Sequence, residues 1–97
     1  MSRAIVGVIT IELYLPGVHS LKEKRGILKS LLARMTNKLN LAAAEIDHHD
    51  AWQSAVIAAA AVGNRADHVQ RMLSKVVDWI ESNFPDVVVS GETIEII

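Results

Sequence analysis

Apolar residues alternate with others from Arg3 to Leu15, a stretch rich in isoleucine and valine, and that period of two predicts a β-strand. One face would carry Ile5, Gly7, Ile9, Ile11 and Leu13 and reads as the core side. Val6, Val8, Thr10, Glu12 and Tyr14 would occupy the other. From Leu21 to Leu39 the period changes: Leu21, Leu28, Leu31, Leu32, Met35 and Leu39 fall within one stripe of about 100° on a helical wheel. This predicts an amphipathic helix. Leu41–His48 reads as a second strand despite its alanines, and Trp52–Val62 as a third. Val69, Met72, Leu73, Val76, Val77, Ile80 and Phe84 then follow the spacing of a second helix, and Val87–Ile97 closes the chain as a fourth strand.

The connections agree with these elements. Pro16-Gly17 supplies a turn, and Ser20 with Glu23 forms an S-x-x-E capping box in which the Ser20 hydroxyl accepts the Glu23 amide and the carboxylate returns to the Ser20 amide. Asn40 can end the first helix. Asp47-His48-His49-Asp50 fits a hairpin connection, Asn64 an N-cap with Asp67 in the first turn, and Pro85 a helix stop. Gly91 suits a bulge in that strand. Gly26 costs the first helix roughly 1 kcal/mol against alanine and reads as a tolerated residue. Short alanines at 58–61 would let a helix sit close to the third strand.

The order β-α-β-β-α-β is the split βαβ arrangement of the ferredoxin-like α+β fold. Its usual antiparallel sheet order is 4-1-3-2, with both helices on one face. In that topology the Pro16–Ser20 turn and the Asp47–Trp52 connection become neighbours. Residues 1–97 then make a single domain, as expected at this length.

Composition narrows function mainly by exclusion. The chain is 51% hydrophobic with a net charge of −1, so it has ample core and lacks the overall basic signature of a nucleic-acid binder. No window approaches a membrane span, and Thr10 and Glu12 interrupt the first apolar stretch, which argues against a signal peptide and makes the cytoplasm the expected location. There is no cysteine, which removes disulfides, thiolate metal sites and cysteine nucleophiles. No P-loop, G-x-G-x-x-G or activated nucleophile occurs, so no catalytic residue and no cofactor is assigned.

Two segments, E-L-Y-L-P-G-V-H-S-L-K-E-K-R at 12–25 and A-E-I-D-H-H-D-A-W-Q at 44–53, resemble the YlxP-like family, a bacterial group of unknown function. The resemblance implies a ferredoxin-like fold and no established activity. It also implies a translational setting, since genes of the family lie in some bacteria among those for translation initiation and ribosome maturation. His49 stands where that family more usually has glutamine, and Gly26 where it has a larger residue.

Three kinds of chemistry remain open. His19, Asp47, His48, His49, Asp50 and Trp52 would gather at one end of the sheet, where histidines and carboxylates suit a metal or proton transfer. Successive side chains His48 and His49 diverge in extended backbone, however, so no metal is assigned and a solvated hairpin is the simpler reading. Lys22, Arg25 and Lys29 lie within about 60° of one another on the first helix, with Arg34 and Lys38 on its other flank and no acid after Glu23. That stripe would suit an RNA phosphate backbone, on the ribosome or elsewhere; an ordinary solvated face is the alternative. Finally, Val6 and Val8 with Ile57, Ala59 and Ala61 would make an apolar outer sheet face, which predicts a homo-oligomer or a small-ligand-sensing module. The ordering that results is a non-enzymatic binding module first, an oligomeric or sensing domain second, and a metal-dependent or acid–base enzyme third.

Overall fold

The computed structural model describes residues 3–97. Its elements are β1 (Ile5–Tyr14), α1 (Leu21–Leu39), β2 (Ala42–Asp47), β3 (Ser54–Gly63), α2 (Ala66–Ser74), α3 (Val76–Asn83) and β4 (Val88–Ile96). Element ends move by one or two residues from the expected positions, the usual latitude at frayed termini. The sheet order is β2-β3-β1-β4, which is 4-1-3-2 read from the other edge, and every pairing is antiparallel. The helices cover one face. The architecture is the ferredoxin-like α+β arrangement.

Alternation along β1 places Gly7, Ile9, Ile11 and Leu13 inward, all buried. Their register partners on β3 are Ala61, Ala59, Ile57 and Ala55, which therefore face the helices as well. This corrects the expected outer set: Ile57, Ala59 and Ala61 belong to the core, and Val56, Ala58, Ala60 and Val62 face outward. A strand's parity is fixed by pairing, and a slip of one residue exchanges its faces. The small inner residues do let a helix close on the sheet. A β-carbon built on Gly7 would lie 2.6 Å from Val69 Cγ1 and 2.7 Å from Leu73 Cδ1, both on α2.

The second helix is broken rather than continuous. α2 ends at Ser74, whose hydroxyl donates back to the Gln70 and Arg71 carbonyls at 2.9 and 3.1 Å, and Lys75 forms the joint to α3. Side-chain bonds of this kind bend helices. Its start also differs: Arg65, not Asn64, is the N-cap, with extended backbone and no side-chain cap. Pro85 acts as expected, since α3 stops at Asn83 and Phe84 has left helical geometry.

Both edge strands are irregular. β2 bulges between Glu45 and Asp47, and β4 bulges opposite Glu12 and Leu13, at Ser90 beside Gly91. Each edge also turns a carboxylate toward the helix-covered side, because Glu45 pairs with Ile57 and Glu92 with Ile11. Bulges and inward charges discourage edge-to-edge association.

Candidate functional site

The end of the sheet where β1 stops and β3 begins is built by two loops and the first turn of α1. Ser20 is the N-cap, its Oγ accepting the Glu23 amide at 3.1 Å. The Glu23 carboxylate returns to the His19 amide, at 3.3 Å, rather than to that of Ser20. Gln53 joins the loops: its Nε2 donates to the Pro16 and Val18 carbonyls at 3.2 and 3.0 Å, and its own carbonyl accepts the Leu15 amide at 2.8 Å. The expected neighbours are thus directly bonded.

Lys24 is the residue that the sequence reading did not single out. Its side chain is 0% exposed. Nζ donates to the His48 carbonyl at 2.6 Å and the Ala51 carbonyl at 2.7 Å, and lies 3.0 Å from Glu45 Oε2. The ammonium and that carboxylate form a short ion pair whose lysine end is fully buried. An ammonium has three donors; two of them are fixed on the loop. The signal was present in the spacing, because Leu21, Lys24, Leu28, Leu31 and Met35 step by three and four residues along one face of α1. A lysine in a core slot requires acceptors, and residues 48–51 provide them.

The loop conformation follows from these bonds. His48 adopts φ 61°, its amide donates to Asp47 Oδ1 at 2.8 Å, and its carbonyl also accepts the Ala51 amide at 3.0 Å. The His48 ring nitrogen Nδ1 is 3.2 Å from Ser54 Oγ. His49 and Asp50 are exposed at the tip and, among the described residues, their side chains make no hydrogen bond. Trp52 and Tyr14, 55% and 45% exposed, line with His19 a shallow depression of about 440 Å³. The expected cluster thus shares one end of the fold without converging: among the described residues no three His, Asp or Glu side chains are gathered for a metal ion.

Lys22, Arg25 and Lys29 are exposed on α1. They lie about 100–160° around the helix axis from Lys24, hence on the flank turned away from the sheet. Arg34 is committed elsewhere, its guanidinium 4.8 Å from the Phe84 ring centroid and 6.0 Å from that of Trp79.

A family model described as "Protein of unknown function (DUF503)" matches residues 6–93. The chain belongs to this family. The uncharacterized protein YlxP of Bacillus subtilis (strain 168) is 35% identical over 83 residues, which cover 86% of this chain and 89% of that protein. The DUF503 match therefore includes both segments that carried the resemblance, and with them Lys24, Glu45 and Gln53, which hold the two loops together. No helix among the described residues is long and apolar enough to cross a membrane.

Proposed function

We propose that this chain is a non-enzymatic binding module that contacts the phosphate backbone of single-stranded RNA through Lys22, Arg25 and Lys29. The observation that carries this reading is the division among the basic residues of α1. Lys24 is consumed by the 48–51 loop and Arg34 by two aromatic rings, whereas Lys22, Arg25 and Lys29, and apart from them Lys38 in the last turn, are exposed and, among the described residues, take part in no ion pair or hydrogen bond. The seven steps from Lys22 to Lys29 advance about 10 Å along the helix, a length suited to successive phosphates. A ribosomal setting, and with it the cytoplasm, comes from the family resemblance. His19, Trp52 and the 47–50 loop would border the bound strand.

Three contacts to single-stranded RNA give a plot of log K against log salt a slope of about −2. Charge reversal at Arg25 and Lys29 leaves folding within about 0.5 kcal/mol, since both are exposed. The double variant should flatten that slope and cease to sediment with ribosomal subunits. Binding equal to the parent's at every salt concentration would overturn the reading.

A second reading rests on a different surface. The outer sheet face presents Val6, Val8, Val56, Ala58, Ala60 and Val62 with no helix across it among the described residues, and Val62 is 65% exposed. Uncovered apolar surface of this kind marks an interface. Because the edges are bulged and charged, the partner would be a second copy stacked on the face rather than paired at an edge.

A further inference from the structure

A cleft of about 710 Å³ lies beside the basic stripe of α1, between the Pro16-Gly17 turn and the connection from α3 to β4. Its apolar wall is made by Leu15, Val18 and Val87, which are buried, and by Ile27 and Phe84, which are partly so. The lining carries two acidic side chains, Glu23 and Asp86, and no basic one. Glu23 gives one oxygen to the His19 amide, while Asp86 has no hydrogen-bond or salt-bridge partner among the described residues.

Gly26 completes the wall, and nothing inside the fold accounts for it. A β-carbon there would meet no atom within 4 Å, and its φ is not positive. Glycine is the poorest helix-interior residue after proline. What its missing side chain leaves is bare α1 backbone facing the cleft, in space that any larger residue would fill.

We infer that this cleft binds a small organic cation, an apolar body carrying one ammonium group. The size is within the range of small-molecule sites, which are mostly apolar with a few oriented polar groups. The body rests on Ile27, Phe84 and Val87 and closes against the backbone at Gly26, and the ammonium meets Glu23 and Asp86. An anion would meet the same two carboxylates without a compensating cation on the lining. The inference is independent of RNA binding, which uses other residues of α1.

The test is a titration of the isotope-labelled full chain with tryptamine, indole and indole-3-propionate, followed through backbone amide resonances. Tryptamine at up to about 10 mM, the range for fragment-sized ligands, should shift Gly26, Ile27, Phe84 and Val88. It should bind about fivefold or more tighter than indole, the order expected of one partly solvated charge contact. Asp86→Asn should remove most of that advantage and leave indole unchanged. Gly26→Leu should raise the melting temperature, through helix propensity, while weakening tryptamine by about tenfold or more. This separates occlusion from misfolding. Absence of shifts at these residues, equal response to indole-3-propionate, or undiminished binding by Gly26→Leu would each overturn the inference.

Discussion

The Lys24 ammonium donates to the carbonyl of His48 at 2.6 Å, and His48 holds a left-handed backbone conformation with φ 61°. A non-glycine residue pays roughly 1–2 kcal/mol for that region. The lysine bond, the Asp47 cap on the His48 amide and the turn bond to Ala51 together offset it. Lys24→Met would leave two loop carbonyls and the Glu45 carboxylate without their cation. Removing one partner of a buried pair costs about 3–5 kcal/mol, so the urea midpoint should fall steeply and the 48–51 amides should lose exchange protection. Glu45→Gln should also destabilise, because it leaves the fully buried Lys24 ammonium without its carboxylate. Unchanged urea midpoints for Lys24→Met would show that the lysine does not hold the loop.

The fold was legible because its periods change cleanly, from two along β1 to helical spacing along α1, with a capping box at the junction. Lys24 was hidden because a stripe read from apolar residues alone passes over a cation, although its slot between Leu21 and Leu28 is a core slot. Its partners become visible only when the topology sets β2 beneath α1. The parity of β3 was hidden for another reason: Ala55 to Val62 is apolar at every position, so alternation is silent until Ile57 pairs with Ile11. The joint at Lys75 left no trace either, because Leu73, Val76 and Ile80 keep helical spacing across it.

Gly7 sits where α2 comes closest to β1. Gly7→Ala places a methyl group 2.6–2.7 Å from branches of Val69 and Leu73, which are fully buried. Overpacking of this kind costs about 1–3 kcal/mol. The contrast is Gly26→Ala, which meets nothing and should stabilise by up to about 1 kcal/mol. Equal effects of the two substitutions on chemical denaturation would contradict the close approach.

Asp67 gives one acid-sensitive contribution to stability. Desolvation pushes its carboxyl upward, but the charge and hydrogen bonds of Arg65, with Arg71 beside it, outweigh this and hold it below its ordinary 3.8. A depressed folded-state value means that the ionised form favours folding. The contribution is fully present above about pH 4, the unfolded carboxylate range, and is lost as pH falls through the lower folded-state value. Asp67→Asn should therefore melt below the parent at neutral pH and converge with it in acid. A gap that stays constant across that range would mean that ionisation is not its source.

The outer sheet face predicts a homo-oligomer whose association depends on concentration. Ten-residue central strands run about 33 Å, and four strands span about 14 Å between their outer axes. Two such faces together hide about 1,000 Å², the lower end for specific interfaces. Association should accordingly be reversible, with light scattering at about 10–100 μM, the range expected of a small interface, giving a mass above the 10.6 kDa monomer and dilution restoring it. Val8 and Ala60 are cross-strand partners in the middle of the face. Val8→Lys sets a charge there without touching the helix-covered core, so it should keep the fold and hold the protein at 10.6 kDa at every concentration. A parent that is already monomeric throughout, or a Val8→Lys variant that still associates, would remove the face as the site of self-association.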